Sequence, residues 1–142
     1  MSVATEPTSP REVFHRLLQG IASGHWEELA DLYAADAVVE VPFALPSPLR
    51  LEGREQIRAH FLAATGQPLE LRPVNVVVRE TDDPEVVVAE FDYEGRVTTG
   101  STTFRAANVQ TLRVRDGLIV SSRDYHDHVA IARALGAFPE AG

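Results

Sequence analysis

An α+β fold, with helices lying against a strongly curved and mostly antiparallel sheet, is predicted for this chain by three observations. Helical apolar stripes are confined to the first half of the sequence, four long β-rich segments follow in succession, and a short apolar helix closes the chain. Strands of ten or more residues exceed the usual length, so a sheet built from them curls. Helices on its concave face then enclose a hollow, which the closing helix caps. At 142 residues the sequence suits one domain, here taken as 10–142 behind a flexible tail over 1–9.

The elements follow in order. The start MSVATEPTSP is rich in Pro, Ser and Thr; Ser9 then has the character of an N-cap, Pro10 of a first helical residue and Glu12 of the third position of a capping box. Val13, Phe14, Leu17, Leu18 and Ile21 recur at helical spacing, and Gly20 to Gly24 mark the exit. Trp26, Leu29, Ala30 and Tyr33 give a second short helical face. From Ala37 the run AVVEVPF reads as a strand ended by Pro42, and the proline-rich ALPSPLRLEG after it as a loop. A third helix is expected from about Arg54 to Thr65, burying Ile57, Phe61 and Leu62, with Gly66 as its stop. Four strands follow, broken by turn signals at Asp82 to Pro84, Gly100, and Asp116 to Gly117.

Composition narrows the partners. Thirteen basic against 21 acidic residues give a net charge of −8 without a basic run, which disfavours nucleic acid and anionic membranes. The absence of cysteine removes disulfides, thiolate nucleophiles and Cys-based metal sites and suits a reducing compartment. No stretch is apolar enough to cross a membrane as a helix, and the polar start lacks a signal-peptide core, so a cytoplasmic location is expected.

Three runs, WEELADLYAADAVVEVPF, LEGREQIRAHFLAA and LRVRDGLIVSSRDYHDHVAIARALG, resemble SnoaL-like and ketosteroid-isomerase-like members of the nuclear transport factor 2-like superfamily, nearly throughout the chain from Arg11. The resemblance implies a conical α+β barrel, its curved sheet wrapped around three helices, with a deep apolar pocket and commonly a homodimer. Its members include isomerases, polyketide cyclases, dehydratases, epoxide hydrolases and non-enzymatic binding modules. The places of the ketosteroid isomerase base, of its Tyr and of its protonated Asp hold Val41, Leu17 and Gln110, which argues against that mechanism. Of the acids that epoxide-hydrolase relatives use, only Asp124 has a counterpart, since Asn108 and Gln110 stand in the penultimate strand. Cyclase relatives pair an acid near the end of the last strand with a His, which Asp124 or Asp127 with His126 would supply.

The run Arg123 to His128 thus carries the candidate chemistry. On a strand Asp124 and His126 share one face, and the resemblance turns that face toward the pocket. Together they make an acid/base pair; otherwise Asp124 pairs with an Arg and His126 only seals the mouth. Asn108 and Gln110 share a face of the neighbouring strand and are expected to hold a ligand oxygen, or to pair within the protein. Phe14, Leu17, Tyr33, Val41, Phe43, Phe61 and Leu112 are the expected apolar lining, with Asp127, His60 and His15 as additional candidates. No metal and no cofactor are expected; the His126 and His128 spacing is the nearest approach to a zinc pair. Val109, Thr111, Arg113, Arg123 and Tyr125 form a mixed outer face, expected to meet a second copy of the chain. The sequence therefore predicts either a cofactor-independent enzyme acting on an apolar carbonyl-bearing or cyclic compound, or a hydrophobic ligand-binding module.

Overall fold

Helix α1, Pro10–Ser23, starts where the sequence places it. Ser9 is extended, with φ −78° and ψ 152°, and its Oγ accepts the Glu12 N–H at 3.1 Å. Gly24 ends the helix at φ 72°, a conformation that disfavours residues with a Cβ. The structure is a computed structural model and describes residues 9–136. Except for Ser9, the expected tail over 1–9 lies outside the described residues, as do residues 137–142 of the expected domain.

One short helix, α2 (Trp26–Leu29), runs through a 3₁₀ turn (Ala30–Leu32) directly into strand β1, Tyr33–Val41. Tyr33 therefore belongs to a strand and not to the helical face its spacing suggested. Its parallel pairing with Ile119 overrides a weak local preference. The segment Leu49–Glu52, expected as loop, is strand β2, antiparallel to β1. Leu51 is buried between the exposed Arg50 and Glu52, an alternation too short to stand out among prolines. Helix α3, Arg54–Ala64, buries Ile57 and partly Phe61, while Leu62 is 45% exposed. Leu62 is five residues from Ile57, so it points roughly 140° around the helix from it.

The four long strands are β3 (Leu69–Glu80), β4 (Val86–Val97), β5 (Thr103–Arg115) and β6 (Leu118–His126). They form an antiparallel meander in a six-stranded sheet of order β2-β1-β6-β5-β4-β3, in which only β1 and β6 pair in parallel. The curved sheet stays unclosed, with β2 and β3 as its edges. Register shifts between Val74 and Val77, and between Arg113 and Val114, give it local bends. Alternation in β4 separates buried Val87, Ala89, Phe91 and Tyr93 from outward Glu90, Asp92 and Glu94. The apolar face of α1 covers the inner side of β3 to β6. Helix α4, His128–Ala134, follows β6 after a one-residue break and brings Ile131 against the core.

Candidate functional site

Between the concave sheet face, α3 and α4 lies a cavity of about 440 Å³. Leu17, Tyr33, Val39, Val41, Ile57, Phe61 and Tyr93 contribute apolar wall, and Gln110, Asp124, His126, His60 and His128 the polar groups. Cross-strand register builds this polar side: Gln110 stands opposite Asp124, and Asn108 opposite His126. Because β5 and β6 alternate in facing, the same register sends Val109, Arg123 and Tyr125 to the outer face.

Asp124 is 8% exposed. The Ser122 hydroxyl donates to its Oδ1 at 2.9 Å, and no basic side chain pairs with it among the described residues. A carboxylate in such surroundings is short of solvation, so burial pushes the acid up to about 7 against the smaller opposing pull of Ser122. Tyr33 and Tyr93 are buried nearby. Burial, then the negative potential of Asp124, holds both phenols above their ordinary value, so they keep their protons.

His126 is held differently. Its Nδ1 lies 2.7 Å from Asn108 Oδ1. The Asn108 amide N–H₂ donates to the carbonyls of Ala106 at 3.0 Å and Phe91 at 3.3 Å, which fixes Oδ1 as an acceptor. The proton of neutral His126 must then sit on Nδ1, leaving Nε2 with a lone pair. Burial, followed by the fields of His128 and His60, lowers this imidazole to about 4. The Tyr93 ring stacks on it, centroids 6.2 Å apart at 27°.

The two residues of the expected pair therefore share a cavity, but each bonds elsewhere: Asp124 to Ser122, His126 to Asn108. Asp124 is equally free of the outer-face arginine pairing that the sequence left open. Gln110 Oε1 is buried without a partner. Leu17, Tyr33, Val41 and Phe61 line the cavity as expected. Phe14 and Leu112 lie in the packed core outside the lining, and Phe43 is 64% exposed, edge-on to Tyr125 on the outside. Asp127 caps α4 by accepting the Ala130 N–H at 3.0 Å, His15 is exposed beside Phe14, and His60 is exposed where it borders the cavity. Sequence reasoning missed Ser122, Tyr93 and the facing of His128; the i, i+2 step from Asp124 and the buried face of β4 were the available signals for the first two. No group of three His, Cys, Asp or Glu arranged to hold a metal occurs among the described residues.

Comparison with known proteins agrees with this architecture. The SnoaL-like domain matches residues 14–122. An uncharacterised PhzA/B-like protein of Pseudomonas aeruginosa is 32% identical over 89% of each chain. The crystal structure of a candidate isomerase from Bacillus subtilis superposes with a TM-score of 0.82 at 26% identity, covering 90% of this chain and 93% of that one. A ketosteroid-isomerase-like fold from Catenulispora acidiphila, in complex with trimethylamine, matches with a TM-score of 0.73 at 22% identity over 91% and 95% of the two chains.

Proposed function

The chain belongs to the SnoaL-like domain family, and from that membership we propose that it is a small-molecule enzyme that moves protons on an apolar carbonyl-bearing or cyclic compound held in the cavity. The observation that carries this reading is the Asp124 carboxyl, buried without a basic partner among the described residues and pushed up to about 7. An acid of that strength is part protonated and part ionised at neutral pH, so it can take a proton from carbon and return one to oxygen. The Tyr33 and Tyr93 hydroxyls supply donors for a substrate oxygen, and Nε2 of neutral His126 supplies an acceptor for a hydroxyl. Isomerisation, cyclisation, dehydration and water addition all draw on this proton transfer. The PhzA/B-like relative and the candidate isomerase support the assignment to small-molecule chemistry.

The outer sheet face suits a second copy of the chain. Val77 and Val109 are 44% and 37% exposed there, and Tyr125, with Arg123 over its ring at 5.6 Å, continues the surface.

The test is exchange of α-protons into deuterated water, followed by NMR over a panel of cyclic ketones. A proton-transfer enzyme accelerates exchange with a pH midpoint near 7. Asp124→Asn lowers the rate at least ~100-fold, the minimum ordinarily lost with an acid/base group. Binding of the ketones without any acceleration would instead identify a non-catalytic ligand-binding module.

A further inference from the structure

Three of the five histidines line the cavity. His60 arrives from α3, His126 from the end of β6 and His128 from the start of α4. The His126 and His128 rings are 5.6 Å apart, edge to face at 75°. His128 Nε2 is buried without a hydrogen-bond partner. Nothing in the proton-transfer chemistry uses this cluster as a whole, and no Lys or Arg lines the cavity among the described residues.

We infer that His60, His126 and His128 form a clamp for a carboxylate, so that the ligand is an apolar carboxylic acid whose hydrocarbon body fills the cavity below them. The inference rests on the small-molecule reading above and narrows its substrate class. An imidazole nitrogen buried without a partner calls for an acceptor or donor from a ligand, because burial takes it from water without returning a hydrogen bond. His60 and His128 can each turn an N–H toward a ligand oxygen, and His126, whose Nδ1 proton goes to Asn108, can add one from Nε2 only once it is protonated, so a carboxylate is the ligand that completes the set. Among the described residues no group of three His, Cys, Asp or Glu is arranged to hold a metal in their place.

The free protein disfavours charge on the cluster. Burial lowers all three imidazoles, and His60 further lowers the other two. A bound carboxylate reverses that balance by favouring the protonated ring, so binding takes up protons and weakens as pH rises. The groups facing the cluster act in known directions. Asp127 at the α4 cap favours a charged His128. Tyr93 from β4 and Tyr33 from β1 stay neutral, as do Asn108 and Gln110 from β5. Arg54 of α3 is turned to the Tyr33 carbonyl at 2.8 Å, and Arg58 to Asp31 at 3.0 Å. Asp124 repels the ligand when ionised, so a bound carboxylate also keeps Asp124 in its protonated form, ready to donate.

Calorimetric titration with cyclohexylacetate and its neutral amide, cyclohexylacetamide, at pH 5.5 and 8.0 tests the clamp. The acid is expected to bind at least tenfold tighter at the lower pH, and the amide to change less than twofold. His60→Gln and His128→Gln should each remove at least fivefold of the acid's preference while leaving amide binding within twofold. In Asp124→Asn, which has no carboxyl to titrate, the acid should keep at least a fivefold preference, so failure of the proton-transfer reading and failure of the clamp are separately visible. Equal binding of acid and amide at pH 5.5, no measurable binding of the acid, or an undiminished preference in both Gln variants overturns the inference.

Discussion

Replacing Asp124 by Asn should change how stability responds to pH, and the size of the effect follows from the site. The carboxyl has an ordinary value of 3.8 and is raised to about 7 by burial. Between those values the folded state keeps a proton that the unfolded chain has released, so this group's contribution is fully present below about pH 4 and lost as pH rises through 7. At 1.36 kcal/mol per pKa unit, the loss amounts to about 4 kcal/mol. His126 runs the other way. Lowered from 6.5 to about 4, it contributes stability above its unfolded value that is lost as pH falls toward 4, about 3 kcal/mol in all. The contributions of these two groups therefore nearly cancel between these limits, because their slopes oppose each other.

Asp124→Asn removes one slope and keeps an oxygen for the Ser122 hydroxyl. The stability difference between variant and wild type should grow with pH in favour of Asn, by about 4 kcal/mol between pH 4 and pH 8. Any fixed cost of the amide displaces the whole curve without altering that trend. Urea unfolding at five pH values across the range gives the difference directly. A difference that stays constant with pH would refute the claim that Asp124 is buried as a neutral acid.

Two further outcomes follow. Asn108→Asp places a carboxylate where Oδ1 now accepts the His126 Nδ1 proton, so the imidazole should rise from about 4 to above 6, read from its ring resonances during an NMR titration; a midpoint still near 4 would contradict the assigned hydrogen bond. If the outer face is the proposed dimer interface, the wild type should sediment as a dimer and Val109→Asp, which puts a charge on that face, as a monomer at the same concentration.

Much of the fold was legible because it rests on local signals. Ser9, Pro10 and Gly24 mark helix ends through backbone chemistry, and the alternation of Val87 to Glu94 separates the two sides of a strand without any tertiary knowledge. Tyr33 and the segment Leu49–Glu52 were misread because their state depends on distant partners, Ile119 for one and the rest of β1 for the other. The site divides in the same way. That Asp124 and His126 share a face follows from a period of two, but their partners do not. Ser122 and Asn108, which keep the two apart, are chosen by side-chain packing and by the fixed Asn108 amide. Phe43 reads as lining from its apolar character, yet it packs edge-on against Tyr125 outside. His128 joins the site only because α4 starts where β6 ends.

The most direct measurement is a titration of the Asp124 side-chain carboxyl by ¹³C NMR in the ligand-free protein, assigned against Asp124→Asn. A midpoint near 7 is expected for an acid enclosed in the cavity without a basic partner. A midpoint close to 4 would mean that the carboxyl is solvated or paired, and would contradict the proton-transfer role built on it.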